Sequence, residues 1–563
     1  MRKTLSCVFV IGIVIALTTA ACGEITTPLN PANSRSSNSG EIVPVVATTS
    51  PSLEARTPTT LATPTLVPTP TGLPTSTALP TSTVMPDPTD TPAPTFTPLP
   101  SPTPSPTPEV APGLSPFAAG LRPEFYEDIA ANKNIPRYYL KINIEPAKRH
   151  FQGQERIVYT NRTGRPLQDV ALRLYPNFPT NSLGGGNNIH LSVTAASING
   201  VEVSTGLTAQ KTAVLLPFAS SLQPGETAQL ELTFSADISP ISDGTYPLPS
   251  AYPMLAVREG DNWRLDVTNF VDRVYAESAF YEAEITAPAN FGLVTSGQLI
   301  SKKPGENNSI VYLSRTGPVR EFAMSLGDFA VEEAQAGAIV VRVYKARKSN
   351  LDAQQVSRVA VGALKVYEKR FGPYPYPVLN FHLQPGTYDG GDEYPGLVML
   401  YSAGQVNPVT RYMVAHETAH QWWYGVVGDD IYRESWLDEA FAQYSGIIYD
   451  EDAENQDVAA RDWEREVMVR YRQALQDGNL PILRSLADFG NFNVYYRTVY
   501  GKGALFLRTL RQEIGDAAFF KALQVYYQRY RYQISTSAAV QKTFEEVSGR
   551  SLDSIFRLWL KGT

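Results

Sequence analysis

The sequence predicts an α+β protein of several domains, with an antiparallel β domain ahead of a mainly helical one. Three observations predict it. Between residues 138 and 329, short β-branched segments alternate apolar and polar positions and are separated by Asn-Gly, Pro-Gly and Ser-Asp-Gly turns. From residue 351 the segments lengthen, and their apolar residues recur at helical spacing. Ahead of both, residues 44–112 are mostly Pro, Thr, Ser, Ala and Val, too poor in apolar bulk to pack.

At the N-terminus, Arg2 and Lys3 precede an apolar run over 5–17 and a small-residue stretch that ends at Cys22. This is the pattern of a secretory signal, too short for a comfortable membrane span, so residues 1–21 are expected to be removed. The ending Thr19-Ala20-Ala21-Cys22 resembles a bacterial lipoprotein processing site. That resemblance implies lipid on Cys22 and a place on the outer face of a bacterial membrane, with plain secretion as the alternative. Residues 22–114 are expected to be a disordered linker, and 19 of the chain's 44 prolines fall in its 44–112 stretch. Over 44–112 a polyproline conformation at about 3.1 Å per residue would reach roughly 200 Å, and a flexible coil about 50 Å. Either holds the folded part away from a membrane.

Residues 115–335 form the expected β domain, with segments such as YYLKINIEP, ERIVYTN and AQLELTFSA. Residues 336–563 form the expected helical domain, with LDAQQVSRVAVGALKVYEKRF, KGALFLRTLRQEIG and DAAFFKALQVYYQRYR as helices and a few strands near Val340 and Leu379. The net charge of −7 is spread along the chain and gives no basic face for nucleic acid. Cys7 and Cys22 are the two cysteines, so the folded part has no disulfide and no thiol metal site. A metal there must be held by histidine and carboxylate.

Residues 411–425 read RYMVAHETAHQWWYG. His416 and His420 are four apart, so on a helix they share a face, with Cβ atoms about 5–6 Å apart. That geometry lets two imidazoles meet one zinc ion. Glu417 follows the first histidine and can take a proton from water activated there. Eighteen residues separate His420 from Glu439, which sits in SWLDEAFAQYSGIIY, whose Leu437, Phe441, Tyr444 and Ile448 mark an apolar helix face. A glutamate on a second packed helix completes a His, His, Glu set and leaves a fourth position for water.

HETAHQWW followed by WLDEAFAQY resembles the aminopeptidase N family of gluzincin zinc metallopeptidases, which includes the leukotriene hydrolase. The visible departure is Ala440, where the family usually has Gly. Residues 390–397, GGDEYPGL, resemble the family's Gly-x-Met-Glu-Asn motif. The resemblance makes Gly390, Gly391, Asp392 and Glu393 substrate-binding, with Glu393 on the free amine. Asp392 stands in the place of Met beside the first side chain, and Tyr394 in the place of Asn. Residues 500–504, YGKGA, are similar to the family's Tyr-x-Lys-Gly-Ala, which implies that Tyr500 donates to an oxyanion. FGPYPYP at 371–377 and the β region are also similar to the family, and the likeness spans roughly 120–563. Its large helical C-terminal domain is expected to be absent. Another Glu or Gln usually reaches the amine from the N-terminal domain, and Glu277 is the candidate. The resemblance thus implies one Zn2+ per chain and hydrolysis of peptides with a free N-terminus. An endopeptidase or other hydrolase on the same site, and a surface binding protein without turnover, are the open alternatives.

Overall fold

The structure is a computed structural model, and it describes residues 113–179, 189–268, 274–402, 404 and 406–563. The signal, Cys22 and nearly all of the linker lie outside the described residues. An eight-stranded sheet dominates the first part. Its order is Gln298–Pro304, Ser309–Arg315, Phe280–Pro288, Arg137–Glu145, His150–Thr160, Thr227–Asp237, His190–Ile198 and Val201–Glu202. Period-two patterning builds it: along Arg137–Glu145 the buried residues are Tyr138, Leu140, Ile142 and Ile144. Its ladders are antiparallel, as expected, except one. Arg137–Glu145 runs parallel to Phe280–Pro288, with Ile142 opposite Ile285. These strands lie far apart in the chain, so no tight turn dictates their direction.

A five-stranded sheet carries the second part, in the order Phe329–Ala336, Ile339–Ala346, Val378–Pro385, Leu397–Ser402 and Gly390–Asp392. Val378–Pro385 is parallel to both neighbours and buried along nearly its whole length, the pattern of a strand covered on both faces. Helix α1, Ala353–Arg370, makes the crossover between Ile339–Ala346 and Val378–Pro385. Asp352 caps it by accepting from the Gln355 amide at 3.0 Å. The hairpin formed by the first two strands straddles residue 336. A division drawn there cuts through this sheet, whose first strand begins just after Asp328.

Five further helices matter to the site: α2, Pro408–Ala419; α3, Trp436–Tyr449; α4, Gly503–Ile514; α5, Asp516–Tyr530; and α6, Ser537–Ser548. Helix α2 packs on the short edge strand Gly390–Asp392, while α3 packs against α1, α2 and α4. Every residue of α3 is buried, beyond the single apolar face its spacing predicts. Two of its polar side chains are satisfied inside: Gln443 donates to the Glu466 carbonyl and Ser445 to that of Phe441. Tyr367 of α1 ties this pair of helices, donating to the carbonyls of Ala415 and Ser445 at 3.0 Å each.

Arg320 joins the two parts. Its buried guanidinium donates to the carbonyls of Tyr424 (2.7 Å), Ala276 (3.0 Å) and Gln533 (2.5 Å). Gly428 provides the room, because a Cβ there would lie 1.8 Å from the guanidinium carbon.

Candidate active site and metal centre

Helix α2 starts where the sequence stops a strand and supplies a cap. The Asn407 side chain accepts from the Val409 and Thr410 amides, Thr410 accepts in return from the Asn407 amide, and Pro408 takes the first position. One turn before its C-terminal end the helix carries His416 and Glu417, and His420 closes it. The chain then reverses through two buried tryptophans, with Trp422 donating to the Gly372 carbonyl and Trp423 to Ser445. Asp430 and Ser435 lead into α3, which brings Glu439 opposite the histidines.

The Nε2 atoms of His416 and His420 lie 3.0 Å apart, and Glu439 Oε2 is 3.4 Å from each. All three side chains are buried. Glu439 Oε2 has no hydrogen-bond partner, a costly state for a buried carboxylate oxygen unless a cation meets it. Two imidazole nitrogens and one carboxylate oxygen converging in this way suit a zinc ion. Burial pushes the Glu439 pKa up, and the two facing imidazoles pull it back below the ordinary carboxylate value. Burial lowers the pKa of His416. It acts the same way on His420, but Asp438 overrides it and holds that ring well above its usual value.

Glu417 is buried beside this group, and its Oε2 also lacks a hydrogen-bond partner. Burial pushes its carboxyl up to about 8, against the pull of His420. The edge strand Gly390–Asp392 lies against it. A Cβ at Gly391 would be 2.6 Å from Glu417 Cδ, so a larger residue there would have to displace that carboxyl. Gly390 is buried opposite Tyr401 in the ladder. Asp392 accepts a hydrogen bond from the Tyr401 hydroxyl. Glu393 lies with His420 and Asp438, their ligand atoms within 4.8 Å of one another. Gln421 fixes the following loop, accepting from the Gly396 amide at 2.8 Å and from Tyr374 at 3.2 Å.

Tyr500 reaches the same place from a π-helical turn, Arg497–Lys502, that leads into α4. Its ring lies parallel to His416, with centroids 5.9 Å apart and 9° between planes, and packs on Tyr496 at 4.5 Å. The structure therefore gathers His416, Glu417, His420, Glu439, Gly391, Glu393 and Tyr500 around one spot. Glu277 is placed elsewhere. It pairs with Arg162 at the rim of a cavity of about 200 Å³ in the β part, shared with Tyr159 and Trp263.

Besides Arg320, four buried residues escaped sequence reasoning. Asp438 hydrogen-bonds His420 Nδ1. Behind it sits Asp429, both of whose carboxylate oxygens lack a hydrogen-bond partner; burial and Asp438 push its pKa well up. Tyr424 holds φ at 102°, a costly conformation for an aromatic residue. Arg320 fixes its carbonyl, and Glu321 from the β part accepts from its hydroxyl. A doubled acid in WLDEAFA was the one available signal, for Asp438; the other three have none in the sequence.

Residues 357–559, which include the three converging ligand atoms, match the family model described as the peptidase family M1 domain. This stretch is thus an M1 peptidase domain, the family of aminopeptidase N. Among M1 relatives, aminopeptidase 2 of Candida albicans is 22% identical over 459 residues, covering 76% of this chain and 48% of that protein. The alanine/arginine aminopeptidase of Saccharomyces cerevisiae is 22% identical over 65% of this chain and 45% of its own length. The chain thus spans about half the length of the curated relatives it matches. An M1 zinc metallopeptidase from Deinococcus radiodurans shares the fold at a TM-score of 0.56 and 22% identity, over 76% of this chain and 94% of that one. A structure of its mutant bound to a Tyr-Ser-Ala substrate gives a TM-score of 0.55 at 21% identity, over the same shares of the two chains.

Proposed function

We propose that this M1 member is a zinc-dependent aminopeptidase that removes N-terminal residues from peptides. The observation that carries the reading is Glu417: a buried carboxylate beside three converging ligand atoms, with one oxygen uncommitted. A purely structural metal site needs no such base. The relatives named as aminopeptidases and the Tyr-Ser-Ala complex of a structural neighbour support the same conclusion.

His416, His420 and Glu439 would hold a zinc ion, which would supply the Lewis acid that lowers the pKa of a water and polarises a carbonyl. Glu417 takes the proton of the attacking water and passes it to the leaving amine. The Tyr500 hydroxyl donates to the oxyanion as it develops. Glu393 sets the register by holding the substrate's α-ammonium in a charge-assisted hydrogen bond. The test compares aminoacyl substrates with their N-acetylated forms. Glu393→Ala should cut kcat/KM for free-amine substrates at least about tenfold more than for blocked ones, the worth of one charge-assisted contact. Equal losses would remove the exopeptidase reading and leave a hydrolase.

The export signal and Cys22 support a lipoprotein held on the outer face of a bacterial membrane. Mature protein should then begin at Cys22, carry lipid, and sediment with membranes, whereas Cys22→Ser should be soluble. Mass spectrometry that finds an unmodified Cys22 thiol would overturn the anchor.

A further inference from the structure

The two histidines that converge with Glu439 are not held alike. His416 Nδ1 is buried and has no hydrogen-bond partner; the ring is steadied by its stack with Tyr500. His420 Nδ1 meets the Asp438 carboxylate in a hydrogen bond and the Trp423 carbonyl at 3.2 Å. Asp438 and His420 are both almost wholly inaccessible to solvent. Asp438 precedes Glu439 on α3, so the two side chains leave the helix about 100° apart. They reach one imidazole from opposite sides, Asp438 at Nδ1 and Glu439 at 3.4 Å from Nε2.

We propose that Asp438 is the positioning residue of the metal centre, acting through His420. By accepting the Nδ1 proton it keeps the tautomer whose lone pair is at Nε2, fixes the ring plane and raises the ring's basicity. His420 is thereby the stronger of the two imidazole ligands. The proposal rests on the zinc reading above.

Zinc affinity of the full chain, measured by competition with a chromophoric chelator, tests it without recourse to activity. Asp438→Ala should weaken zinc binding about 10–100-fold, and Asp438→Asn, which keeps an acceptor at the same place, should fall between it and wild type. Tyr367→Phe is the structural control: it loosens α2 and α3 through Ala415 and Ser445 without touching either imidazole, and should bind zinc as wild type does. Wild-type affinity in both Asp438 variants overturns the proposal, as does an equal loss in Tyr367→Phe. If Asp438→Ala does not fold, Asp438→Asn decides, and wild-type affinity there is enough to refute. A wild-type chain that binds no stoichiometric zinc overturns the metal reading itself, an outcome distinct from the others.

Discussion

Gly391 and Glu417 meet so closely that each constrains the other. A methyl group at 391 would overlap the Glu417 carboxyl, which is buried and would have to move. Overpacking of this kind costs about 1–3 kcal/mol or moves the intruded group. Glu417→Gln and Gly391→Ala should therefore share a phenotype: zinc retained by elemental analysis, and kcat reduced by about 10²–10⁴, the usual worth of a positioned base. Near wild-type turnover in Glu417→Gln would mean that another group takes the proton. His416, Glu417 and His420 were legible in the sequence because one helical turn fixes their relation without help from the rest of the chain. The contact of Gly391 with Glu417 was not, because it depends on how an edge strand lands on α2.

Between helices, the telling pair is Ala440 of α3 and Gly503 of α4. A Cβ at Gly503 would lie 2.6 Å from that of Ala440. The family resemblance marks Ala440 as a departure from Gly, and the absent side chain at 503 is what makes room for its methyl. In an ordinary helix, Gly→Ala gains about 1 kcal/mol from propensity. Here the clash should win, so Gly503→Ala should destabilise by roughly 1–3 kcal/mol. In the Ala440→Gly background the same change should become neutral or stabilising. A double-mutant cycle by chemical denaturation should give a coupling of at least about 0.5 kcal/mol, and additive effects would sink the account. At this scale the helices were readable from their periodicity, and so was the pairing of Glu439 with the histidines from its spacing. The complete burial of α3 was hidden, because its Gln443 and Ser445 look like surface residues until their backbone partners are seen.

Across the whole molecule, the β part contributes buried charge to the neighbourhood of the site. Glu321 is buried, and burial pushes its carboxyl up to about 7, against hydrogen bonds donated by Ser250 and Tyr424. An unfolded glutamate releases its proton near pH 4.3, while the fold retains this one to about pH 7. Folded chains thus bind more protons than unfolded ones in that window, so this group's contribution to stability is lost as pH rises through it. Glu321→Gln removes the titration and keeps an acceptor. The unfolding free energy of wild type relative to the variant should fall by up to about 3 kcal/mol between pH 4 and 8 in urea titrations. A difference that stays flat with pH would show that Glu321 titrates normally. Arg320, next in the chain, has a consequence for any attempt to trim the protein. The M1 match covers 357–559 alone, yet the backbone at Tyr424 and Gln533, inside that stretch, takes its donors from residue 320. A fragment beginning at the five-stranded sheet would carry all three proposed zinc ligands and leave those carbonyls unanswered, beside the slot at Gly428 that the guanidinium had filled. The stretch that looks like an enzyme is, in this chain, shorter than the stretch whose hydrogen bonds close on themselves.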